Sequence, residues 1–354
     1  MKKIILGTAL ILVILIIVFL FLPAPIDPVA YTPPQPPELS GILAPNNLLQ
    51  SAELLALGEI NGPEEVALDS QGRIYGGTQD GKILRILSDG SIETFAETQG
   101  RPLGLQFDRA GNLIVCDAHK GLLSIDPEGK ITVLATSAEG IPFRFTDALD
   151  IASDGTIYFT DASSRFSQQE YLYDLLESRP HGRFLSFEPT TGKVSVLLKD
   201  ICFANGVALP RDENFVLINE TYQYRIIRYW LKGPKAGTHD IFIDNLPGFP
   251  DNISSNRKGT FWVALFTLRN ALTDFAHPYP FIKTQVSKLP KALWPKPKPY
   301  GLVLALDEQG NITSSLHDPT GKHLKEITSA REYKGYLYLG SLHNDRIGKY
   351  SLSK

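Results

Sequence analysis

Five acidic and amide side chains stand at or just before the first strands of repeated apolar segments, and their oxygens suit a hard cation. The residues are Glu64, Asp147, Asn205, Asp251 and Asn252. Calcium accepts several carboxylate, amide and water oxygens in flexible geometry. A bound calcium ion can polarise a carbonyl or phosphoryl oxygen as a Lewis acid. Each residue taken alone is better explained as a turn former that bonds its own backbone. Their matching places favour a calcium site.

Three residues near the same strand ends are predicted to be catalytic: His119, Asp161 and Asn252. A neutral histidine can act as a general base near neutral pH, although His119 could equally be held by a local backbone bond. His343 is a weaker candidate of the same kind. The chain has no Gly-x-Ser-x-Gly elbow and no Cys-x-x-Cys pair, which argues against a serine hydrolase and a zinc site.

A repeated hairpin motif positions these residues. It consists of a turn containing Gly or Asn followed by β-forming residues, and it occurs at 69–75, 108–114, 153–158, 211–216, 256–262 and 333–338. Such turns need a residue that tolerates positive φ. Repetition at roughly 40–50 residues without a helical period indicates a β-propeller. We therefore predict an all-β, six-bladed β-propeller over residues 48–354, closed by a strand within 48–60 that joins the C-terminal blade.

The N-terminus predicts a membrane anchor. Residues 1–22 contain about 19 consecutive uncharged residues, close to the length that crosses a bilayer, and they lack the small-x-small exit of a cleaved signal peptide. Lys2 and Lys3 place the N-terminus in the cytoplasm and the propeller on the periplasmic, luminal or extracellular side. Residues 23–47 are a Pro-rich linker, expected to be an extended spacer that lifts the domain off the membrane.

The charge of the chain and two further segments indicate what kind of partner it binds. The formal net charge is −3 and no basic run follows the first residues, so nucleic acid is not an expected partner and a small ligand is favoured. Residues 163–182 predict a short helix with Tyr171, Leu172, Leu175 and Leu176 on one face. The segment 267–300, hereafter the insert, is a candidate lid or binding loop and equally a candidate for contact with a membrane surface.

The two cysteines do not decide between free thiols and a disulfide. Cys116 and Cys202 both lie in hydrophobic surroundings of the sequence, which favours two buried free thiols. A disulfide is nevertheless permitted in the compartment proposed for the propeller.

Several motifs together resemble the strictosidine synthase-like family, in particular its membrane-anchored branch. They are Ile-Tyr-Phe-Thr-Asp-Ala-Ser-Ser-Arg (157–165), Ala-Asn-Gly-Val-Ala (204–208), Leu-Pro-Gly-Phe-Pro-Asp-Asn-Ile (246–253) and Gly-Tyr-Leu-Tyr-Leu-Gly-Ser (335–341). The resemblance covers nearly the whole chain, including the anchor and the insert. It implies kinship with paraoxonases and gluconolactonases, six-bladed propellers in which an axial calcium supports hydrolysis of lactones and aryl esters.

The resemblance also assigns roles to residues. The metal ligands correspond to Glu64, Asn205, Asp251 and Asn252, whereas Asp147 stands where those families usually have Asn. His119 resembles one paraoxonase histidine, but Leu103 stands at the other, so the histidine pair is incomplete. The glutamate used by the plant synthase in its amine–aldehyde condensation is matched by Thr328, with Glu326 two residues away and expected on the same face of the strand.

From the sequence we predict a membrane-anchored, calcium-dependent hydrolase of lactones or aryl esters. The alternative is a non-catalytic binding or scaffolding propeller in which calcium is structural, since the same ligands serve both. A Pictet–Spengler synthase is a third reading, disfavoured by Thr328.

Overall fold

The computed structural model describes residues 2–294 and 296–353. Met1 of the predicted anchor, Pro295 of the insert and Lys354 of the predicted propeller lie outside the described residues, as do the side chains of Lys2 and Lys3. Six four-stranded antiparallel sheets form the domain, and each sheet is one blade. The predicted six-bladed propeller is confirmed.

The blades follow one another along the chain. The closing strand is β1 (Glu53–Leu55). Blade 1 contains β2 (Val66–Leu68), β3 (Ile74–Gly77), β4 (Lys82–Ile86) and β5 (Ile92–Glu97). Blade 2 contains β6 (Pro102–Phe107), β7 (Leu113–Asp117), β8 (Gly121–Ile125) and β9 (Ile131–Ala135). A two-stranded hairpin, β10 (Ser137–Ala138) and β11 (Ile141–Pro142), leads to blade 3, which contains β12 (Thr146–Ile151), β13 (Ile157–Asp161), β14 (Gly182–Glu188) and β15 (Lys193–Ile201).

The second half repeats the arrangement. Blade 4 contains β16 (Ala204–Ala208), β17 (Phe215–Glu220), β18 (Arg225–Trp230) and β19 (His239–Ile243). Blade 5 contains β20 (Gly248–Ser255), β21 (Phe261–Leu268), β22 (Gly301–Leu306) and β23 (Ile312–Asp318). Blade 6 contains β24 (Ile327–Tyr333), β25 (Tyr336–Ser341) and β26 (Ile347–Ser351), with β1 as its fourth strand.

Ring closure follows the prediction. β1 pairs antiparallel with β26, with Glu53 opposite Lys349 and Leu55 opposite Ile347. The first propeller strand thus completes the last blade, which satisfies the edge that an open ring would leave. The closing strand predicted within residues 48–60 is confirmed.

The predicted hairpin turns do contain residues with positive φ. Glycines take that conformation in five of the six turns, but in the turn at 211–216 Glu213 does so, with φ of 53°. The hairpin pattern predicts Gly or Asn at this place, and Asn214 is the residue of that kind in the turn. A residue other than glycine in the left-handed region costs roughly 1–2 kcal/mol, and the turn keeps this conformation between the paired strands β16 and β17.

In the part of the chain that the structure describes, four α-helices and five short 3-10 turns accompany the strands. The helices are α1 (Lys2–Phe21), α2 (Tyr171–Glu177), α3 (Ala271–Ala276) and α4 (Pro280–Ser287). The 3-10 turns are Gly41–Leu43, Leu48–Ser51, Gln168–Glu170, Thr221–Gln223 and Lys291–Leu293. Within the described residues α1 is the one helix long and apolar enough to cross a membrane, with a mean hydropathy of 3.4 over Ile4–Phe21.

The Pro-rich linker is not a free spacer, which corrects the expectation from its composition. The backbone N–H of Val29 donates to Glu177 O at 3.0 Å, and that of Tyr31 donates to His277 O at 3.0 Å. Ile26 is buried beside Phe166. Proline-rich backbone stays extended, but its remaining polar groups and apolar side chains bond to the domain, so the linker packs on the propeller instead of lifting it away.

Both cysteines are buried free thiols. The Cys116 Sγ–H donates to Ala148 O at 3.5 Å, whereas Cys202 Sγ accepts from Gln223 Nε2 at 3.5 Å. The two residues therefore pack in separate places, as the reading of two free thiols predicts.

Candidate functional site

The first strand of each blade lines the propeller axis, and most of these strands are bulged where a site residue stands. In β12 the pairing to β13 skips from Thr146 to Leu149, leaving Asp147 unpaired. In β16 it skips from Ala204 to Val207 around Asn205. In β20 it skips from Pro250 to Ile253 around Asp251 and Asn252. A bulge turns a side chain out of its regular alternation, which is how these side chains come to point toward the axis.

The same irregularity occurs in two further strands. The pairing skips Leu103 in β6 and Thr328 in β24. These two residues stand where the resemblance predicts a histidine and a glutamate. Thr328 Oγ1 donates to Glu64 O at 2.6 Å, which ties β24 to the segment that precedes β2. Equivalent strand positions around the ring therefore supply an axial set, as the repeat predicts.

A cavity of about 470 Å³ opens above this axial set. Its polar floor is formed by Glu64, Asp147, Asn205, Asp251 and Thr328. Its apolar walls include Leu103, Phe145, Phe203, Tyr222, Phe249 and Phe266. A polar floor beneath aromatic walls, at this volume, is typical of sites for small organic ligands.

One buried amide contacts the floor directly. Asn252 Nδ2 donates to Glu64 Oε1 at 2.9 Å. Asn252 is buried beside Glu64 and does not itself line the cavity.

Burial raises the pKa of all three floor carboxyls. Desolvation and then the neighbouring Glu65 raise the pKa of Glu64 to about 8. Desolvation and then Glu64 raise the pKa of both Asp147 and Asp251 well above the ordinary value. Buried Arg101 opposes the rise at Glu64 and Asp147. Three ionised carboxylates beside one guanidinium would leave two uncompensated negative charges, the charge that a divalent cation neutralises.

The residues present fit a calcium ion. Glu64 Oε2 and Asn205 Oδ1 are buried and have no hydrogen-bond partner within the described residues. Buried polar atoms are normally satisfied, so such atoms require an explanation such as an ion. No cluster of three or more His, Cys, Asp and Glu side chains in the described part of the chain is arranged to hold a metal unaided. A cation at this place would need amide oxygens as further ligands, which calcium accepts and structural zinc sites do not use.

His119 is not brought to the cavity. It follows β7 and is exposed, and its backbone N–H donates to Asp117 Oδ1 at 2.9 Å. His343 is exposed as well and pairs with Glu326 through its Nδ1, at 2.7 Å from Oε2. No histidine is among the described residues that line the cavity. The geometry gives no support to His119 as general base, because the side chain does not reach the reaction space.

Asp161 likewise lies outside the cavity, which corrects its expected catalytic position. It is buried at the end of β13, accepts the Phe145 N–H at 2.9 Å and pairs with Arg183 Nη2 at 2.6 Å. Burial raises its pKa while Arg183 opposes the rise. In blade 2, Asp117 accepts the Arg101 N–H at 2.9 Å in the same way. Asp161 therefore has a structural role, and Asp117 has the corresponding role in blade 2.

Glu326 does not take the place of the synthase glutamate. Thr328 lines the cavity, whereas Glu326 is engaged with His343 and is not among the lining residues. Its φ of 48° turns the backbone just before β24. The expected shared strand face fails because Glu326 precedes the strand and does not follow its alternation.

Sequence reasoning missed Arg101 as a site residue. Its side chain is buried, its Nη2 donates to Gly62 O at 3.0 Å, and its charge acts on Glu64 and Asp147. The signal lay in the segment Arg-Pro-Leu-Gly, whose arginine directly precedes an axial strand. An isolated arginine in a sequence gives no sign of burial, so it reads as an ordinary surface residue.

The insert and α2 cover the mouth of the cavity. Tyr171, Leu172 and Leu175 of α2 line the cavity. Leu176, the fourth residue of the predicted face, is instead buried in a cluster with Phe166. The insert contributes further lining residues: Thr267, Leu268, Arg269, Asn270, Thr273, Lys291, Trp294, Lys296, Pro297 and Lys298. The insert therefore has the position that the lid reading requires.

Comparison with known proteins agrees with the motifs. Residues 147–234 match the family model for strictosidine synthase, and residues 41–86 match the model for the N-terminal part of strictosidine synthase-like proteins. The adipocyte plasma membrane-associated protein of Rattus norvegicus is 38% identical over 357 residues, covering 94% of each chain. Strictosidine synthase-like protein 10 of Arabidopsis thaliana is 38% identical over 346 residues, covering 90% of this chain and 91% of the relative.

The chain belongs to the strictosidine synthase-like family. Among solved structures it is similar to a gluconolactonase from Xanthomonas campestris, with a TM-score of 0.63 at 16% identity over 94% of this chain and 99% of that one. It is also similar to a calcium-binding regucalcin from Agrobacterium tumefaciens, with a TM-score of 0.60 at 14% identity over 84% of this chain and 92% of that one. At these identities the likeness shows the fold alone.

Proposed function

We propose that this family member is a calcium-dependent hydrolase of lactones or aryl esters. The observation that carries the proposal is the axial floor together with the adjoining Asn252, where three buried carboxyls and two amides come together and leave buried oxygens unsatisfied. Aromatic walls above the floor suit the apolar part of an ester. The likeness in fold to a gluconolactonase agrees with this assignment.

The floor carboxyls, Asn205 and the adjoining Asn252 have separate roles in the proposal. Glu64, Asn205, Asp251 and Asn252 hold the ion, and Asp147 adds negative charge beside them. Calcium, when bound, would supply Lewis-acid polarisation of the substrate carbonyl. Phe145, Phe203 and Phe249 would then orient the acyl or aryl group and exclude water from one face of the ester.

Asp147 is the proton acceptor that we assign in place of His119. It lines the cavity, and burial raises its pKa, which makes an ionised Asp147 a stronger base than an ordinary aspartate. When ionised, Asp147 would take the proton of an attacking water as the carbonyl carbon is attacked, and it would return that proton to the departing alkoxide or phenoxide oxygen as the ester C–O bond breaks.

A binding propeller with structural calcium is the second candidate. It is favoured by one observation: the described lining residues include no histidine that could serve as a base. The same floor would then join the blades and the same walls would hold a ligand without turnover. The synthase reading lacks its acid, because Thr328 stands at that position and Glu326 is engaged elsewhere.

We also propose that α1 is an uncleaved anchor with its N-terminus in the cytoplasm and the propeller on the opposite side. The support is the apolar span Ile4–Phe21 together with the two lysines that precede it.

The activity is tested with the full chain, purified in detergent and assayed against a panel of lactones and aryl esters. We expect turnover with calcium, loss of turnover after chelation, and recovery when calcium is restored. Calcium binding without hydrolysis of any panel member would establish the binding-propeller reading instead. Failure to bind any divalent ion by elemental analysis and titration would overturn the axial site itself.

A further inference from the structure

The insert carries an apolar surface that no part of the described chain covers. Leu272, Phe275, Phe281 and Leu293 are between 62% and 68% exposed, more than any other large hydrophobic side chain in the described residues outside the N-terminal anchor helix. Tyr279 lies against Phe275, with ring centroids 5.5 Å apart. We call these five residues the insert patch. Such a concentration of exposed apolar side chains marks an interaction surface.

The patch lies on the outer side of the cavity wall. Asn270 and Thr273, at the start of α3, line the cavity, while Leu272 and Phe275 of the same segment are exposed. Lys291 and Trp294 line the cavity, while Leu293 between them is exposed. The segments that wall the mouth therefore face the cavity with one side and present the patch with the other.

The anchor helix meets the same segment. Lys288, one residue beyond α4, donates from its Nζ to Leu20 O at 2.9 Å and to Phe19 O at 3.3 Å, both in the last turn of α1. α4 has eight residues, so it is about 12 Å long at 1.5 Å per residue. Phe281 and Lys288, which contacts the end of α1, are therefore only about 10 Å apart along this helix.

The tether between anchor and domain is short. α1 ends at Phe21 and Ile26 is already buried in the domain. Five backbone steps span at most about 18 Å when fully extended. The headgroup region on either side of the hydrocarbon core is several ångströms thick, so the domain must stay at the membrane surface once α1 is inserted.

Exposed lysines border the patch. Lys296 and Lys298 line the cavity mouth and are exposed, and Lys291 is exposed beside Leu293. Apolar side chains flanked by lysines are the composition of segments that enter the interface of a bilayer and contact anionic headgroups.

We propose that the insert patch docks on the bilayer that receives α1, so that the cavity mouth opens at the membrane surface. A ligand then enters from the lipid phase. The substrate class that follows is a membrane-partitioned lactone or ester whose apolar chain leads along the aromatic wall to the axial floor. This substrate class rests on the proposed hydrolase function, whereas the docking does not.

Docking is tested on the full chain reconstituted into vesicles of phosphatidylcholine and phosphatidylserine. An environment-sensitive fluorophore is attached at Phe281→Cys, with Ile241→Cys on the outer strand of blade 4 as the matched exposed control. The native thiols are buried, so labelled wild type supplies the blank. We expect nitroxide-bearing lipids to quench the fluorophore at position 281 several-fold more than at 241, and aqueous iodide to do the reverse.

Two results would overturn the docking. Equal quenching of the two positions by lipid would show no preferred face. Protection of position 281 from iodide without lipid quenching, growing with protein density in the vesicle, would instead show a second copy or another protein on the patch.

The substrate class is tested with the double variant Phe275→Glu and Phe281→Glu, compared with Ile241→Glu. We expect at least a tenfold rise in the KM for a long-chain lactone dissolved in vesicles, with kcat unchanged, and no change for a short water-soluble lactone. Equal effects on both substrates would reject entry from the lipid phase. If wild type hydrolyses neither substrate, the hydrolase proposal fails, while the quenching experiment still decides the docking.

Discussion

Asn252 donates its amide proton to Glu64 Oε1 over 2.9 Å, although the two residues are 188 positions apart in the chain. Asn252 belongs to blade 5 and Glu64 precedes blade 1, so the bond passes across blade 6 at the axis. The propeller is closed at its rim by β1 and at its axis by this contact. A ligand that neutralises Glu64 would therefore act on blades that are remote in sequence.

The stability of the metal-free protein should fall as pH rises from about 5 to about 8. Burial raises the pKa of Glu64 from 4.5 to about 8, and it also raises the pKa of Asp147 and Asp251. Between the unfolded and folded pKa values the native state binds more protons, so its relative stability is present at low pH and lost as pH rises. Each such group contributes a slope of up to about 1.4 kcal/mol per pH unit.

Denaturant unfolding in chelator at several pH values measures this slope. Glu64→Gln should flatten it, because glutamine cannot titrate, while Glu128→Gln at an exposed turn should leave it unchanged. Saturating calcium should reverse the trend, since the ion needs ionised ligands and binding releases protons. A metal-free protein that becomes more stable toward pH 8 would contradict the buried, protonated floor.

Asn252→Ala should weaken calcium binding in a protein that still folds. The other ligands and the closing strand keep the blades together, but one amide is lost and Glu64 loses its hydrogen bond. We expect at least a tenfold lower calcium affinity by titration, in line with losses of supporting contacts at metal sites, and little turnover at low calcium. Asn214→Ala, in a hairpin turn of blade 4, is the control. Unchanged hydrolysis by folded Asn252→Ala across low calcium concentrations would reject a catalytic metal.

The architecture and the axial residues follow from the sequence for a common reason. Hairpin turns and strand-entry residues recur at blade spacing, so Asp147, Asn205 and Asp251 could be placed on one axis without coordinates. The roles of His119 and Asp161 could not be read this way. A polar residue at a strand end can be catalytic or can hold the neighbouring backbone in place, and the sequence pattern is the same in both cases. For Asp161, the ion pair with Arg183 in the structure shows the second role.

The contacts of the Pro-rich linker could not be predicted from the sequence. Its proline content predicts an extended spacer, yet Val29 and Tyr31 bond to residues far along the chain. Local composition determines the conformation of such a segment but not the surface that it meets. The burial of Arg101 escapes the sequence for the same reason.

His119→Gln should leave turnover within about twofold of wild type, whereas Asp147→Asn should lower kcat by about 10²–10⁴, the usual contribution of a general base. His119 is exposed outside the cavity, and Asp147 lines it. Asparagine stands at this position in families that the chain resembles, so calcium binding should survive the second change. Steady-state kinetics and calcium titration of both variants separate the roles. A large loss with His119→Gln alone would restore the histidine mechanism.

Asp161→Asn should destabilise the fold without changing calcium affinity. The substitution leaves the Arg183 guanidinium buried without its counter-charge, and breaking such a pair costs about 3–5 kcal/mol. Glu139→Gln removes the partner of Lys199 in an exposed ion pair and should change the unfolding free energy by less than about 1 kcal/mol. Denaturant unfolding compares the two. Normal stability with lost turnover in Asp161→Asn would instead return Asp161 to a catalytic role.

The propeller should be accessible from outside the cytoplasm in intact cells. The apolar span Ile4–Phe21 has only the lysines at positions 2 and 3 before it, and positive residues are retained on the cytoplasmic side. Protease added to intact cells, or to spheroplasts of a bacterium, should cut the domain while a cytoplasmic marker stays whole. Replacing both lysines with glutamates should reduce the accessible fraction, since the orientation depends on their charge, and adding lysines after residue 22 should reduce it further.

Full protection of the wild-type domain, with the marker cut only after permeabilisation, would reverse the proposed orientation. It would leave the axial site and the docking of the insert patch unaffected, because both depend on contacts within the chain and on the end of α1, not on which side of the membrane the domain lies.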